Sequence, residues 1–197
     1  MKQIYKDKAF HIINEIQENQ TKSQPGGLPW LLYGDDKISE QSLYIKIGRN
    51  FEKWFKFIVE DCGMELLPDG VIKNVIGKKS KDIDLLFKDE NSKFIYYREL
   101  KSNLELDTEK LPATYNKIKK VKKYLSEKYK GYEINTALLH WGVYEPSVLC
   151  STYRGRKKSC KKMGVEVTYP IDFFKLLSVN ISENDYYLMW RKINEVL

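Results

Sequence analysis

The stretch Asp82–Lys101 reads DIDLLFKDENSKFIYYRELK. Its two ends alternate with a period of two, and the middle, KDENSK, is polar. That is the pattern of two strands joined by a tight turn. In Phe94–Lys101, alternation places Ile95, Tyr97, Glu99 and Lys101 on one face. In Asp82–Phe87 the same rule groups Asp82, Asp84 and Leu86. A turn centred on Asn91 and Ser92 sets Asp84 directly opposite Glu99, with Cβ atoms roughly 4.5–5.5 Å apart. Apolar residues occupy both faces of these segments, which predicts a sheet covered on both sides.

Working outward, the spacing predicts a helix over about 2–19, a loop over 21–37 broken by Pro25-Gly26-Gly27 and Pro29, and a long helix over about 40–62 ending before Gly63. A short strand is expected near 64–67, then a turn at Pro68-Asp69-Gly70. Beyond the hairpin, a helix capped by Asp107 or Thr108 should run to about 130. Ile134–Val143 reads as a buried strand and Val165–Val167 as a short one. Helices are expected over about 170–178, with Pro170 in the first turn, and over 182–197. The order implies an α/β fold with a mixed central sheet flanked by helices. We expect one domain over 1–197: a core of about 40–178, with the segments 1–37 and 182–197 packed on it.

Composition narrows the class. The chain has 197 residues, of which 42% are apolar and 13% aromatic, too rich for disorder. No run of 18 apolar residues exists, and the N-terminal segment lacks a signal-peptide core, so a cytoplasmic protein with no membrane partner is expected. Cys62, Cys150 and Cys160 are odd in number and lack zinc spacing; they read as reduced thiols. Two histidines, His11 and His140, cannot make a His-rich metal site, and His140 with Trp141 reads as core.

Net charge is +7. Lys117–Lys130 holds seven Lys and one Glu, and Thr152–Gly164 (TYRGRKKSCKKMG) holds six basic residues and no acid. Basic clusters beside an aromatic and a Gly suit a polyanion such as double-stranded DNA; a solvated basic loop is the plain alternative. Arg154 and Arg156 are the candidates for reading guanine edges, with Tyr153 packing on sugar or base. Lys157, Lys158, Lys161 and Lys162, like Lys78, Lys79 and Lys81 before the hairpin, would grip phosphates. Ser102 and Asn103 either donate to a phosphate or end the strand.

Two close carboxylates repel unless a cation lies between them. Oxygen ligands suit Mg²⁺, with Mn²⁺ as substitute, and Lys101 beside the metal can orient or deprotonate a water. The plain alternative is a surface ion pair between Lys101 and Asp82.

At these residues the chain resembles the PD-(D/E)xK nuclease superfamily, and ELKSN is most similar to its type II restriction endonucleases. Ile83 stands where the motif has Pro. Pro68-Asp69 is a literal match but reads as a turn. The helix GRNFEKWFKFIVEDCG (Gly48–Gly63) is similar to the family's first core helix. The resemblance spans roughly Gly48–Val143. It implies Asp84 and Glu99 as metal ligands, the Leu100 carbonyl as a third, Lys101 as the catalytic lysine, and Glu52 as a further candidate ligand; Glu52 otherwise reads as a surface residue pairing with Lys56. It further implies Mg²⁺-dependent hydrolysis of DNA to 5′-phosphate and 3′-hydroxyl ends. A homodimer acting on a palindromic site follows from one active site per chain, and no nucleotide cofactor is expected. The alternatives are a repair nuclease that nicks mismatches or resolves junctions, one subunit of a heteromeric restriction enzyme, and a non-catalytic DNA-binding protein.

Overall fold

The computed structural model describes residues 2–18, 40–68, 71–72, 81–102, 110–145 and 160–194. In chain order the elements are α1 (Gln3–Glu18), α2 (Glu40–Asp61), β1 (Glu65–Leu66), β2 (Val71–Ile72), β3 (Lys81–Asp82), β4 (Leu85–Asp89), β5 (Phe94–Lys101), α3 (Lys110–Lys128), β6 (Glu133–His140), β7 (Glu166–Thr168), α4 (Pro170–Leu176) and α5 (Glu183–Asn194). They form two compact units, residues 1–54 with 184–197, and residues 55–183. The fold is α/β with a mixed sheet, as the alternation of patterns implied. The loop expected over 21–37 and the cap at Asp107 or Thr108 lie outside the described residues.

The smaller unit gathers α1, the first part of α2 and most of α5. Its apolar contacts converge on Trp54, whose ring lies 6.4 Å from Tyr186 and whose Nε1 donates to the Tyr5 carbonyl at 3.0 Å. Tyr5, Ala9 and Ile12 are the buried stripe of α1.

The larger unit holds a five-stranded sheet in the order β1-β4-β5-β6-β7. β1, β4 and β5 are antiparallel; β5, β6 and β7 are parallel. The two directions meet at β5, because a short turn can join only antiparallel neighbours, whereas the parallel pair needs the α3 crossover. The turn fixes the hairpin register: Asp89 accepts from the Asn91 N–H at 2.9 Å and from the Ser92 hydroxyl at 2.6 Å. The resulting pairs run from Asp89 opposite Phe94 to Leu85 opposite Arg98.

Period two then separates two cores. Ile95 and Tyr97 face α3, meeting Tyr115, Ile118, Val121 and Leu125, along with Leu138 and Val167 from the parallel strands. On the other face, the Phe173 ring of α4 lies edge-on to Phe55 of α2 at 5.1 Å and to Phe87 at 6.3 Å. Gly63 (φ 74°) ends α2: its N–H bonds the Glu60 carbonyl at 2.9 Å and the Met64 N–H bonds the Val59 carbonyl at 3.1 Å. This is the double bond of a left-handed helix stop, in which a side chain would be strained.

One local expectation is corrected. Asp82–Phe87 is not one strand. β3 pairs with β2 as a separate two-stranded ribbon, and the chain bends at Asp84 before β4 begins. Ribbons of two residues leave almost no periodicity to read, so the first was missed and its second strand was merged with β4.

Candidate active site

The bend at Asp84 gives that residue its partner. With the ladder ended at Leu85, the Asp84 carboxylate turns to accept the Leu100 backbone N–H at 2.8 Å. A strand residue's N–H and C=O point the same way, so the Leu100 carbonyl is directed to Asp84's side of β5.

Glu99 lies on the α3 face of β5 and is 3% exposed. A carboxylate so buried is costly unless paired and hydrogen-bonded. Lys101, two residues on and on the same face, places Nζ 3.0 Å from Oε1. Lys117 of α3 reaches Oε2 at 2.5 Å, where the Tyr97 hydroxyl also donates at 2.5 Å. Lys117 Nζ stands 3.9 Å from Asp84 as well, so one ammonium serves both carboxylates. Lys101 thus forms an ion pair with Glu99.

The two acids respond differently to one environment. Burial, then the Glu99 charge, pushes the Asp84 carboxyl up; Lys117, Lys101 and the Leu100 N–H oppose this without cancelling it. Burial also pushes Glu99 up, but Lys101, Lys117 and the Tyr97 hydroxyl outweigh it, and Glu99 ends below the usual glutamate range. Burial, together with the Glu99 charge, holds the Tyr97 phenol well above its ordinary value, so it stays a donor. Two like charges pulled apart this way are a familiar mark of functional sites.

Lys117 was missed as a site residue. The signal was present: it lies four residues before Val121, on the margin of the buried stripe of α3.

The base of the site is fixed by a close approach of two backbones. Trp141 N–H donates to the Lys101 carbonyl at 3.0 Å, and His140 Nε2 lies 3.1 Å from the Ser102 carbonyl. A Cβ on Gly142 would lie 1.9 Å from that same Ser102 oxygen, so only glycine fits. Burial lowers the His140 imidazole to about 4, which keeps it neutral, and the residue is 1% exposed. This is the core role that its strand implied.

Beside Asp84, a cavity of about 270 Å³ opens between Lys56, Pro68, Ile83 and Leu86. Of the proposed DNA contacts, Lys161 and Lys162 are exposed on the helical turn that begins at Cys160, and Ser102 is exposed. Lys78, Lys79, Asn103, Tyr153, Arg154, Arg156, Lys157 and Lys158 lie outside the described residues, as does the side chain of Lys81. Glu52 is half-buried in the part of α2 that belongs to the smaller unit. Beyond Lys117, α3 carries exposed Lys119, Lys120, Lys122 and Lys123.

Among the described residues no group of three or more His, Cys, Asp and Glu side chains could hold a metal ion. The oxygen donors here are the Asp84 and Glu99 carboxylates, with the Leu100 carbonyl directed to Asp84's side of β5. An all-oxygen set of this kind suits a hard divalent cation that keeps several waters.

No protein-family model matches the chain. No curated protein sequence matches it significantly either.

Proposed function

We propose that this protein is a Mg²⁺-dependent, sequence-specific endonuclease of double-stranded DNA, of the type II restriction class, acting as a homodimer. One observation carries the reading: Asp84 and Glu99 stand at the bend and strand end of one hairpin, with Lys101 and Lys117 against them. Burial and the Glu99 charge hold the Asp84 carboxyl up even with Lys117 and Lys101 nearby.

Asp84 and Glu99 would hold the ion, with the Leu100 carbonyl completing the donor set. The metal, when bound, supplies Lewis-acid stabilisation of charge on the scissile phosphate. The chain's own residues divide the rest. Lys101 is the more accessible of the two lysines, its side chain 29% exposed against 12% for Lys117. It is placed to orient the attacking water toward the scissile phosphate. Lys117, with Tyr97 behind it, fixes the rotamer of Glu99 and is the positioning residue. The exposed lysines of α3 and Lys161 and Lys162 would attract the phosphate backbone, a term that weakens with salt.

The test is a plasmid digest with MgCl₂ and with EDTA. Discrete fragments in Mg²⁺ alone support the reading. No cleavage in either condition, or equal cleavage in EDTA, overturns it, and cutting confined to four-way junctions would replace the restriction assignment with a resolving one. Asp84→Ala and Glu99→Ala are expected to lose cleavage by more than about a hundredfold, since even outer-shell losses cost 10–100-fold. Both should keep DNA binding in a gel-shift assay.

A further inference from the structure

The opposite face of β5 carries a second polar site. Arg98 points away from Glu99 and is 5% exposed. Its Nη1 donates to the Tyr97 carbonyl at 3.0 Å and the Asn135 carbonyl at 3.2 Å. Among the described residues, Nε and Nη2 have no hydrogen-bond partner and no carboxylate lies within ion-pair distance. A guanidinium carries five donors, and here only those of Nη1 are used within the fold. Burial has lowered it to about 10, so it still carries its charge at neutral pH.

The register explains the arrangement. Leu85, Arg98, Ala137 and Glu166 form one row across four strands. Arg98 and Glu166 therefore face each other over Ala137, whose methyl group leaves the space between them open. A cavity of about 350 Å³ lies there. Tyr96 and Phe94 line one end as a stacked pair, 5.7 Å apart and 16° from coplanar, and Phe173 lines another side. The Asn135 side-chain oxygen is buried in the same wall and accepts no hydrogen bond.

These groups define a ligand. Arg98 needs acceptors. Glu166, on the far side, takes donors. The Phe94 and Phe173 side chains give the cavity apolar walls that suit a flat ring. Phosphate is disfavoured, because Glu166 and Asp172 give the pocket two carboxylates against one guanidinium; Asp172 is further committed to the Tyr169 N–H at 3.0 Å. A guanine base meets every requirement: O6 and N7 are adjacent acceptors, and N1–H and the N2 amine are donors on the neighbouring edge. We propose that the cavity between Arg98 and Glu166 is a binding site for a guanine base, read by the arginine on one edge and the carboxylate on the other. It does not rest on the nuclease reading, because it uses the other face of the sheet.

Calorimetric titration with guanosine tests this, with adenosine, guanosine 5′-monophosphate and inorganic phosphate as comparators. Guanosine is expected to bind saturably, and adenosine to bind about tenfold or more weakly, because its N6 amine puts a donor where Arg98 needs the O6 acceptor and its N1 puts an acceptor where Glu166 needs a donor. The monophosphate should bind no tighter than guanosine, and phosphate alone should not bind. Arg98→Leu, with folding checked by circular dichroism, should abolish the heat. Glu166→Gln alters an exposed side chain and guards against a folding failure; it should weaken guanosine about tenfold. Absence of saturable guanosine binding, equal affinity for adenosine, competition by phosphate, or unchanged affinity in Glu166→Gln would each overturn the proposal.

Discussion

Neighbouring residues of β5 put opposite charges into opposite cores, and the two cores treat them unequally. Glu99 has two ammonium groups and a phenol within hydrogen-bond distance. Arg98 has two carbonyls, both on one nitrogen, and an aromatic ring 5.5 Å from its guanidinium carbon. The first charge is neutralised inside the fold, and the second is left with unused donors over a cavity. The difference lies in what faces the strand. α3 brings a long flexible cation to Glu99, whereas the row across Arg98 offers a methyl group and then a distant carboxylate.

Substitutions on the two faces should therefore differ most in stability. Glu99→Leu strands two ammonium groups and is expected to cost about 3–5 kcal/mol, read as a lowered urea midpoint. A loss below 1 kcal/mol would erase the contrast. His140, on the same face, sharpens it through pH. Its folded value, about 4, lies below the ordinary 6.5, so the unfolded chain binds the proton more readily. Stability is then present above pH 6.5 and lost as pH falls toward 4, by on the order of 3 kcal/mol. His140→Gln should flatten that slope in urea titrations between the two values. Gly142→Ala forces Ser102 away from the strand and should cost about 1–3 kcal/mol in thermal melts. Lys117→Met removes an opposing charge from Asp84, so the acid limb of the cleavage profile should move to higher pH. The smallest effect belongs to the other face: Arg98→Met replaces an under-used charge with an apolar side chain and should change the unfolding free energy from urea titration by less than about 1 kcal/mol, or raise it.

Much of this was legible in the sequence because it depends on short-range rules. A four-residue polar turn fixed the β4–β5 register, and alternation along Phe94–Lys101 set Glu99 and Lys101 on one face. Gly63 marked a helix end. What escaped depended on distance along the chain. Lys117 enters the site from a helix whose phase is set by packing Tyr115, Ile118 and Val121, and a run of seven lysines hides the one that turns inward. The bend at Asp84 escaped because Asp-Ile-Asp alternates like a strand, while the backbone that would pair with it belongs to another ribbon. The pocket over Ala137 could be seen only after the parallel register was known, since it joins residues from β5, β6 and β7.

The change of direction at β5 also bears on how the molecule assembles. The β4–β5 hairpin closes through a few residues, whereas β6 pairs with β5 only after the whole α3 crossover has been traversed, and local contacts form sooner. Asp84 and Glu99 are thus expected to meet before α3 delivers Lys117. Early in refolding the two acids face each other with Lys101 alone for company, and their repulsion opposes the nucleus at neutral pH. Glu99→Gln, by removing that repulsion, should ease the step and speed refolding even where it gains nothing for the finished protein.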